Sequence, residues 1–134
     1  RHDLIPLQVL SAIRGVRIAD SVRALAPRCS DIDAEIARLL SEERDKVDGI
    51  VLGAGARELL ECLPRDIWPV VTSTNRGLAE TRMHLVGLPK APLLVAAEDV
   101  QAGKPAPDGY RIAAEKLGLD CEGTVVFENS DTGI

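Results

Sequence analysis

Apolar residues in the first third of the chain recur at helical spacing. Leu4, Leu7, Val9, Leu10 and Ile13 form one stripe, and Gly15 is its stop. Asp20 or Ser21 is placed to cap a short helix that carries Val22, Leu25 and Ala26 and ends at Pro27. Ser30 or Asp31 then caps a longer one. In it Ile32, Ile36, Leu39 and Leu40 lie near helical spacing, with Glu35, Arg38, Glu42, Glu43 and Arg44 on the solvated side. No strand pattern interrupts this stretch, which predicts a helical unit over residues 1–48.

The pattern changes in kind near Asp48. Gly49, Gly53 and Gly55 bracket a flexible passage, after which short apolar runs alternate with helical segments. Residues 56–63, 75–86 and 108–117 read as helices, and 67–72, 93–96 and 124–127 as strands. Val- and Ile-rich strands separated by helices predict a parallel α/β sheet.

Composition narrows the partners. Lys and Arg total 16 against 21 Asp and Glu, a formal charge of −5, so nothing general draws the chain to a polyanion. Trp68, Tyr110 and Phe127 are the whole aromatic complement and leave few platforms on which bases could stack. Nucleic acid is therefore not an expected partner. No apolar run approaches the ~18 residues of a membrane-spanning helix, so no membrane association is expected. Cys29, Cys62 and Cys121 are widely spaced and read as reduced, mostly packed thiols, neither a disulfide framework nor a zinc site. The opening Arg1-His2-Asp3 lacks a signal-peptide pattern, and the expected location is the cytoplasm.

In an open parallel sheet, ligands bind beyond the carboxyl ends of the strands. The first predicted strand ends in Thr72-Ser73-Thr74-Asn75, whose hydroxyls and turn N–H groups suit an anion but serve equally as a helix N-cap. The third ends in Glu128-Asn129-Ser130-Asp131, where a carboxylate beside an amide oxygen suits Mg²⁺ or an ordinary capped turn. Between them Lys104 sits on a Gly/Pro-defined loop, placed to pair with a phosphate and a carboxylate together or to be an ordinary surface lysine, with Pro107 and Asp108 fitted to the first turn of the next helix. Gly53-Ala54-Gly55 lacks a third glycine and a preceding strand, so it reads as a turn and not a dinucleotide site. His2 and His84 have no local ligand pattern.

Taken together, Val70-Val71-Thr72-Ser73, Gly103-Lys104-Pro105-Ala106-Pro107-Asp108-Gly109-Tyr110 and Val126-Phe127-Glu128-Asn129-Ser130-Asp131-Thr132-Gly133-Ile134 resemble motifs two, three and four of the haloacid dehalogenase superfamily, in matching order and separation. The similarity is greatest to its small sugar-phosphate phosphatases and β-phosphoglucomutase-like members. The resemblance implies a Rossmann-like α/β core over residues 49–134 beneath a helical cap over residues 1–48. It implies Mg²⁺-dependent hydrolysis of a small phosphorylated metabolite, a sugar or polyol phosphate, through an aspartyl-phosphate. Thr72 would hydrogen-bond the transferring phosphoryl group with the Ser73 N–H nearby, and Lys104 would neutralise its charge. Glu128 and Asn129 would help hold Mg²⁺, and Arg17 would be a substrate contact from the cap.

Two departures bear on activity. Asn129 stands where the family often has Asp, which removes one negative charge from the metal site. The first motif, a strand followed by Asp-x-Asp, is not found ahead of the cap; Asp3 follows no strand. The family's elements after the fourth motif are also missing. The expectation is thus a segment of a phosphatase with an incomplete core, inactive in isolation. The alternatives are a non-catalytic relative that binds a phosphorylated ligand or a protein, and a β-phosphoglucomutase-like isomerase. An incomplete sheet exposes an edge, which leaves self-association open.

Overall fold

A computed structural model describes residues 6–134. Leu4 of the opening stripe, His2 and Asp3 lie outside the described residues. Three helices come first, α1 (Pro6–Ile13), α2 (Ile18–Leu25) and α3 (Ile32–Asp45), and α2 packs against both of the others. Helix α2 begins earlier than its expected Asp20 or Ser21 cap. Arg17 is the extended N-cap residue, and Asp20 lies in the first turn, where its carboxylate faces the positive end of the helix. Helix α3 starts where the sequence places it, with the Asp31 side chain accepting from the Ala34 N–H at 2.9 Å. Val22 and Ala26 are buried inside this helical cap, and Glu35 is buried beside Arg38.

Gly55, at φ +77°, turns the chain into α4 (Ala56–Cys62), the structural role expected of that glycine pair. Two short strands follow, β1 (Pro69–Val71) and β2 (Leu93–Val95), joined by α5 (Arg76–Leu85). They pair in parallel with Val70 opposite Leu94. Helix α6 (Asp108–Leu117) packs on both strands. Its inward face carries Ala113 and Ala114, which with Leu94, Val95, Ala96, Trp68 and Leu78 make a core built largely of small side chains. Small faces let the helix approach the sheet closely, and Gly109 is the extreme case: a Cβ there would lie 2.8 Å from Val71 Cγ1. The architecture is the expected α/β core with a small parallel sheet and a helical cap.

Two expectations are corrected. Residues 124–127 do not form a third strand; the described sheet has two. An apolar β-prone run becomes a strand only when a neighbour accepts its backbone hydrogen bonds, and among the described residues Val125, Val126 and Phe127 have no such neighbour. Val125 and Phe127 remain 77% and 78% exposed. The thiols are free as expected, but Cys62 and Cys121 are exposed, not packed. His84 is exposed on α5. No described helix is long and apolar enough to cross a membrane.

The close approach of α6 to β1 makes a testable demand. Gly109→Ala drives a methyl group into a stiff β-branched side chain, an overpacking expected to cost about 1–3 kcal/mol. Urea denaturation of the intact protein with and without the substitution measures it.

Candidate active site

The turn after β1 is built by its own side chains. Thr72 N–H donates to Val95 O at 2.9 Å, which extends the strand pairing by one bond. Asn75 Oδ1 accepts from Leu78 N–H at 2.8 Å and caps α5. Thr72 Oγ1 accepts from Thr74 N–H at 3.1 Å, so its own hydrogen stays available to donate. The Ser73 hydroxyl donates instead to Gly15 O at 2.6 Å, at the entrance to the cap. The Ser73 backbone N–H has no acceptor among the described residues. The Thr72 hydroxyl and the Ser73 backbone N–H, the two groups assigned to phosphate, are therefore open donors.

The loop after β2 carries Lys104. Asp108, in the first turn of α6, accepts from Ala102 N–H at 3.2 Å, and Ala106 N–H closes a turn on Gly103 O at 3.0 Å. From this braced loop the Lys104 ammonium reaches Glu128 Oε2 at 2.5 Å, and each side chain is only 11% exposed. Glu128 is satisfied on its other oxygen as well. Its Oε1 accepts from Asn129 N–H at 2.9 Å and from the Ser130 N–H and hydroxyl, each at 3.0 Å.

Burial alone would raise the Glu128 carboxyl. The hydrogen bonds from Lys104, Asn129 and Ser130 overcome it and bring the pKa from an ordinary 4.5 to about 2. For Lys104 burial alone would favour the neutral amine, but Glu128 and Tyr110 carry its pKa above the usual 10.5.

Tyr110, Ser130 and Gly133 belong to this site without having been assigned to it from the sequence. The Tyr110 hydroxyl donates to Gly133 O at 2.7 Å and lies 3.2 Å from Glu128 Oε2, while the Lys104 ammonium stands 5.2 Å from the centre of its ring. A Cβ at Gly133 would overlap the Glu128 carboxyl, so only glycine lets the carboxylate lie there. The available signal was position. Tyr110 is a lone aromatic at the start of the helix that follows the lysine loop, inside a motif already singled out.

Thr72, Ser73, Lys104, Glu128, Asn129 and Arg17 all line one cleft between the cap and the core. Its volume, about 1270 Å³, exceeds the few hundred cubic ångströms a small metabolite requires, so size alone selects no substrate. Arg17 is engaged. Its Nε donates to Asp20 at 2.6 Å, Nη1 to Val100 O at 3.0 Å, and Nη2 to Asp20 at 3.2 Å and to Gln101 O at 3.1 Å.

The metal expectation can be tested against this donor set. Both Glu128 oxygens are taken by protein donors, and a cation on Oε2 would have to displace the Lys104 ammonium. Asn129 offers one exposed neutral oxygen. Among the described residues no three His, Cys, Asp or Glu side chains converge as metal ligands. Mg²⁺ requires several hard oxygens in near-octahedral array, and Glu128 with Asn129 do not supply them as they stand.

The sign of the pH dependence follows from the shifted groups. Glu128 has a lower pKa folded than unfolded, so its contribution to stability is complete above about 4.5 and is lost as the pH falls toward 2. The Lys104 contribution is present below 10.5 and is lost only in stronger alkali. Glu128→Gln in the intact protein is expected to cost about 1.5–3 kcal/mol near neutral pH, the range for hydrogen bonds to a charged group. Denaturation curves should show the gap between wild type and variant closing between pH 4.5 and 2.

Known proteins resemble this chain over most of its length. The family model of haloacid dehalogenase-like hydrolases matches residues 10–134. Hexitol phosphatase A of Escherichia coli K12 is 38% identical over 138 residues, an alignment that takes in 100% of this chain and 64% of that protein. The 2-deoxyglucose-6-phosphate phosphatase 2 of Saccharomyces cerevisiae is 30% identical over 159 residues, covering 100% of this chain and 63% of its own length. A crystal structure of a hydrolase from Pseudomonas syringae superposes with a TM-score of 0.77 over 95% of this chain and 62% of that one, and at 23% identity it speaks for the fold alone. The chain thus spans a little under two thirds of the length of these relatives. With nearly all of the described sequence inside the family match, and the lysine and acidic motifs joined in one cleft, the chain belongs to the haloacid dehalogenase-like hydrolase family.

Proposed function

We propose that the protein carrying this chain hydrolyses a phosphate monoester of a small, hydroxyl-rich metabolite, releasing the alcohol and inorganic phosphate. The observation that carries this reading is the Lys104–Glu128 pair, held in the same cleft as the open donors of Thr72 and Ser73. A phosphoryl group in flight spreads negative charge over its peripheral oxygens. Fixed donors and a fixed ammonium stabilise that charge without reorganising at the moment of transfer. In this reading Thr72 Oγ–H and Ser73 N–H hold the phosphoryl oxygens, Lys104 balances their charge, and Glu128 keeps the ammonium in place. The helical cap, residues 1–48, covers the substrate and excludes water from residues 49–134, the core. The names of two relatives, a hexitol phosphatase and a 2-deoxyglucose-6-phosphate phosphatase, favour a sugar or polyol phosphate.

The proposed route runs through an aspartyl-phosphate on a carboxylate that residues 6–134 do not contribute. Mg²⁺, which the family resemblance implies, would supply further charge neutralisation, but only with ligands beyond Glu128 and Asn129 as they stand. A second reading is favoured by Asn129 and by the saturation of Glu128: a protein that binds a phosphorylated ligand without turning it over.

Turnover of hexitol and hexose phosphates by the intact protein with Mg²⁺ decides between the two. Absence of phosphate release, combined with calorimetric binding of the same esters, would establish the second reading and sink the first. Lys104→Ala is expected to lower kcat by about 10²–10³-fold, the scale of losing one group aimed at developing charge. Thermal melting of that variant separates the catalytic loss from the destabilisation of an unpaired Glu128. Restoring a carboxylate with Asn129→Asp is expected to tighten Mg²⁺ binding about tenfold, because oxygen-site affinity rises with ligand charge. Isothermal titration with Mg²⁺ reads this directly.

A further inference from the structure

Arg17 reaches from the cap to the core. It stands at the N-terminus of α2 with a side chain that is only 17% exposed. A guanidinium has five N–H donors in a fixed fork. Four of these have acceptors: two meet the two Asp20 oxygens, and two meet the carbonyls of Val100 and Gln101. Asp20 belongs to the same helix, so it pins the guanidinium to α2. The two carbonyls belong to the loop that leads into Lys104. The loop backbone closes on the fork so tightly that a Cβ at Gly103 would lie 2.6 Å from Arg17 Nε and 2.9 Å from Asp20 Oδ2.

The neighbouring cap residues are seated in the same way. Gly15 O accepts from the Ser73 hydroxyl of the turn after β1. A Cβ at Gly15 would collide with Ser130 Oγ, the group that donates to Glu128. Residues 15–17 therefore touch the turn after β1, the lysine loop and the acidic turn together.

From this geometry we infer that Arg17 is a positioning residue for Lys104: with Asp20 as its anchor, it clamps the Val100 and Gln101 carbonyls and couples the seat of α2 to the place of the lysine. The other side of the loop is braced on α6 through Asp108 and Ala102. Arg17 supplies the brace from the cap. A fork already spent on four acceptors has one donor left for a substrate, which argues against the direct contact expected from the sequence. A change in the seat of the cap would instead reach the phosphoryl site through the backbone of residues 100–104. The consequence for turnover rests on the proposed role of Lys104; the clamp itself does not.

The experiment uses the intact protein with Arg17→Gln, Arg17→Lys and Asp20→Asn, and two readouts. Hydrogen–deuterium exchange across residues 101–106 tests the clamp without requiring activity. Arg17→Gln is expected to accelerate exchange there about tenfold, the effect of losing roughly one charged hydrogen bond. Turnover of p-nitrophenyl phosphate and of a hexose phosphate should fall together in kcat by about ten- to a hundredfold, as expected for a misplaced catalytic group, with KM little changed. Arg17→Lys should not restore either readout, because one ammonium cannot span a carboxylate and two carbonyls. Asp20→Asn should shift both in the same direction by less, and it carries the test if Arg17→Gln does not fold. Unchanged exchange, with a KM rise confined to the hexose phosphate, would overturn the inference in favour of substrate contact. Full rescue by lysine would also overturn it, since charge alone would then suffice. If the wild-type protein turns over neither ester, the proposed function falls while the exchange comparison still decides the clamp.

Discussion

A half-buried ammonium and carboxylate 2.5 Å apart set the terms for the rest of this structure. Two charges removed from water are costly, and their attraction offsets that cost only when the remaining lone pairs and protons also find partners. Here Glu128 Oε1 is met by three donors from its own turn, and Oε2 by Lys104 with Tyr110 alongside. Those requirements propagate. Gly133 must lack a side chain, Tyr110 must open α6 at the right height, and the lysine loop must be braced at both ends. What looks in sequence like two separate motifs, the lysine loop and the acidic turn, is physically one charge-compensating unit.

The helical cap is attached to that unit. Ser73 reaches Gly15, Gly15 abuts Ser130, and Arg17 holds the loop that carries Lys104. Side chains that a sequence reading assigns to the ligand are thus partly spent on holding the two layers together. Ser73 and Arg17 illustrate it: the hydroxyl of one and most of the fork of the other point at backbone carbonyls. Among the groups that remain open toward the cleft are the Thr72 hydroxyl hydrogen, the Ser73 N–H and the Asn129 side chain.

The same accounting bears on the metal. A carboxylate cannot give its lone pairs to an ammonium and three local donors, with a phenol alongside, and still be a leading ligand for a cation. Glu128 is better suited to fixing Lys104 than to binding Mg²⁺ directly, and Asn129 adds an oxygen without charge. The exposed run at Val125 and Phe127 reflects a comparable constraint at the level of the fold. Its composition is that of a strand, but backbone groups without a neighbour leave it unpaired.

Local pattern by itself determined most of the elements. Residues 108–117 form α6 as expected, Asp31 and Asn75 are caps because short side-chain acceptors suit orphan N–H groups, and alternating runs gave a parallel sheet. Motif chemistry named Thr72, Ser73, Lys104, Glu128, Asn129 and Arg17, and the fold brings all six to one cleft. Only the tertiary structure decided how each is used. Whether residues 124–127 become a strand depends on a partner strand, and whether Cys62 and Cys121 are packed depends on what lies over them. The duties of Tyr110, Gly133 and Arg17 depend on contacts that cross 18, 5 and 83–84 residues of sequence. Helical and strand periodicity reports on neighbours a few positions away. Hydrogen-bond partners at such separations are fixed by packing, which the linear pattern does not encode.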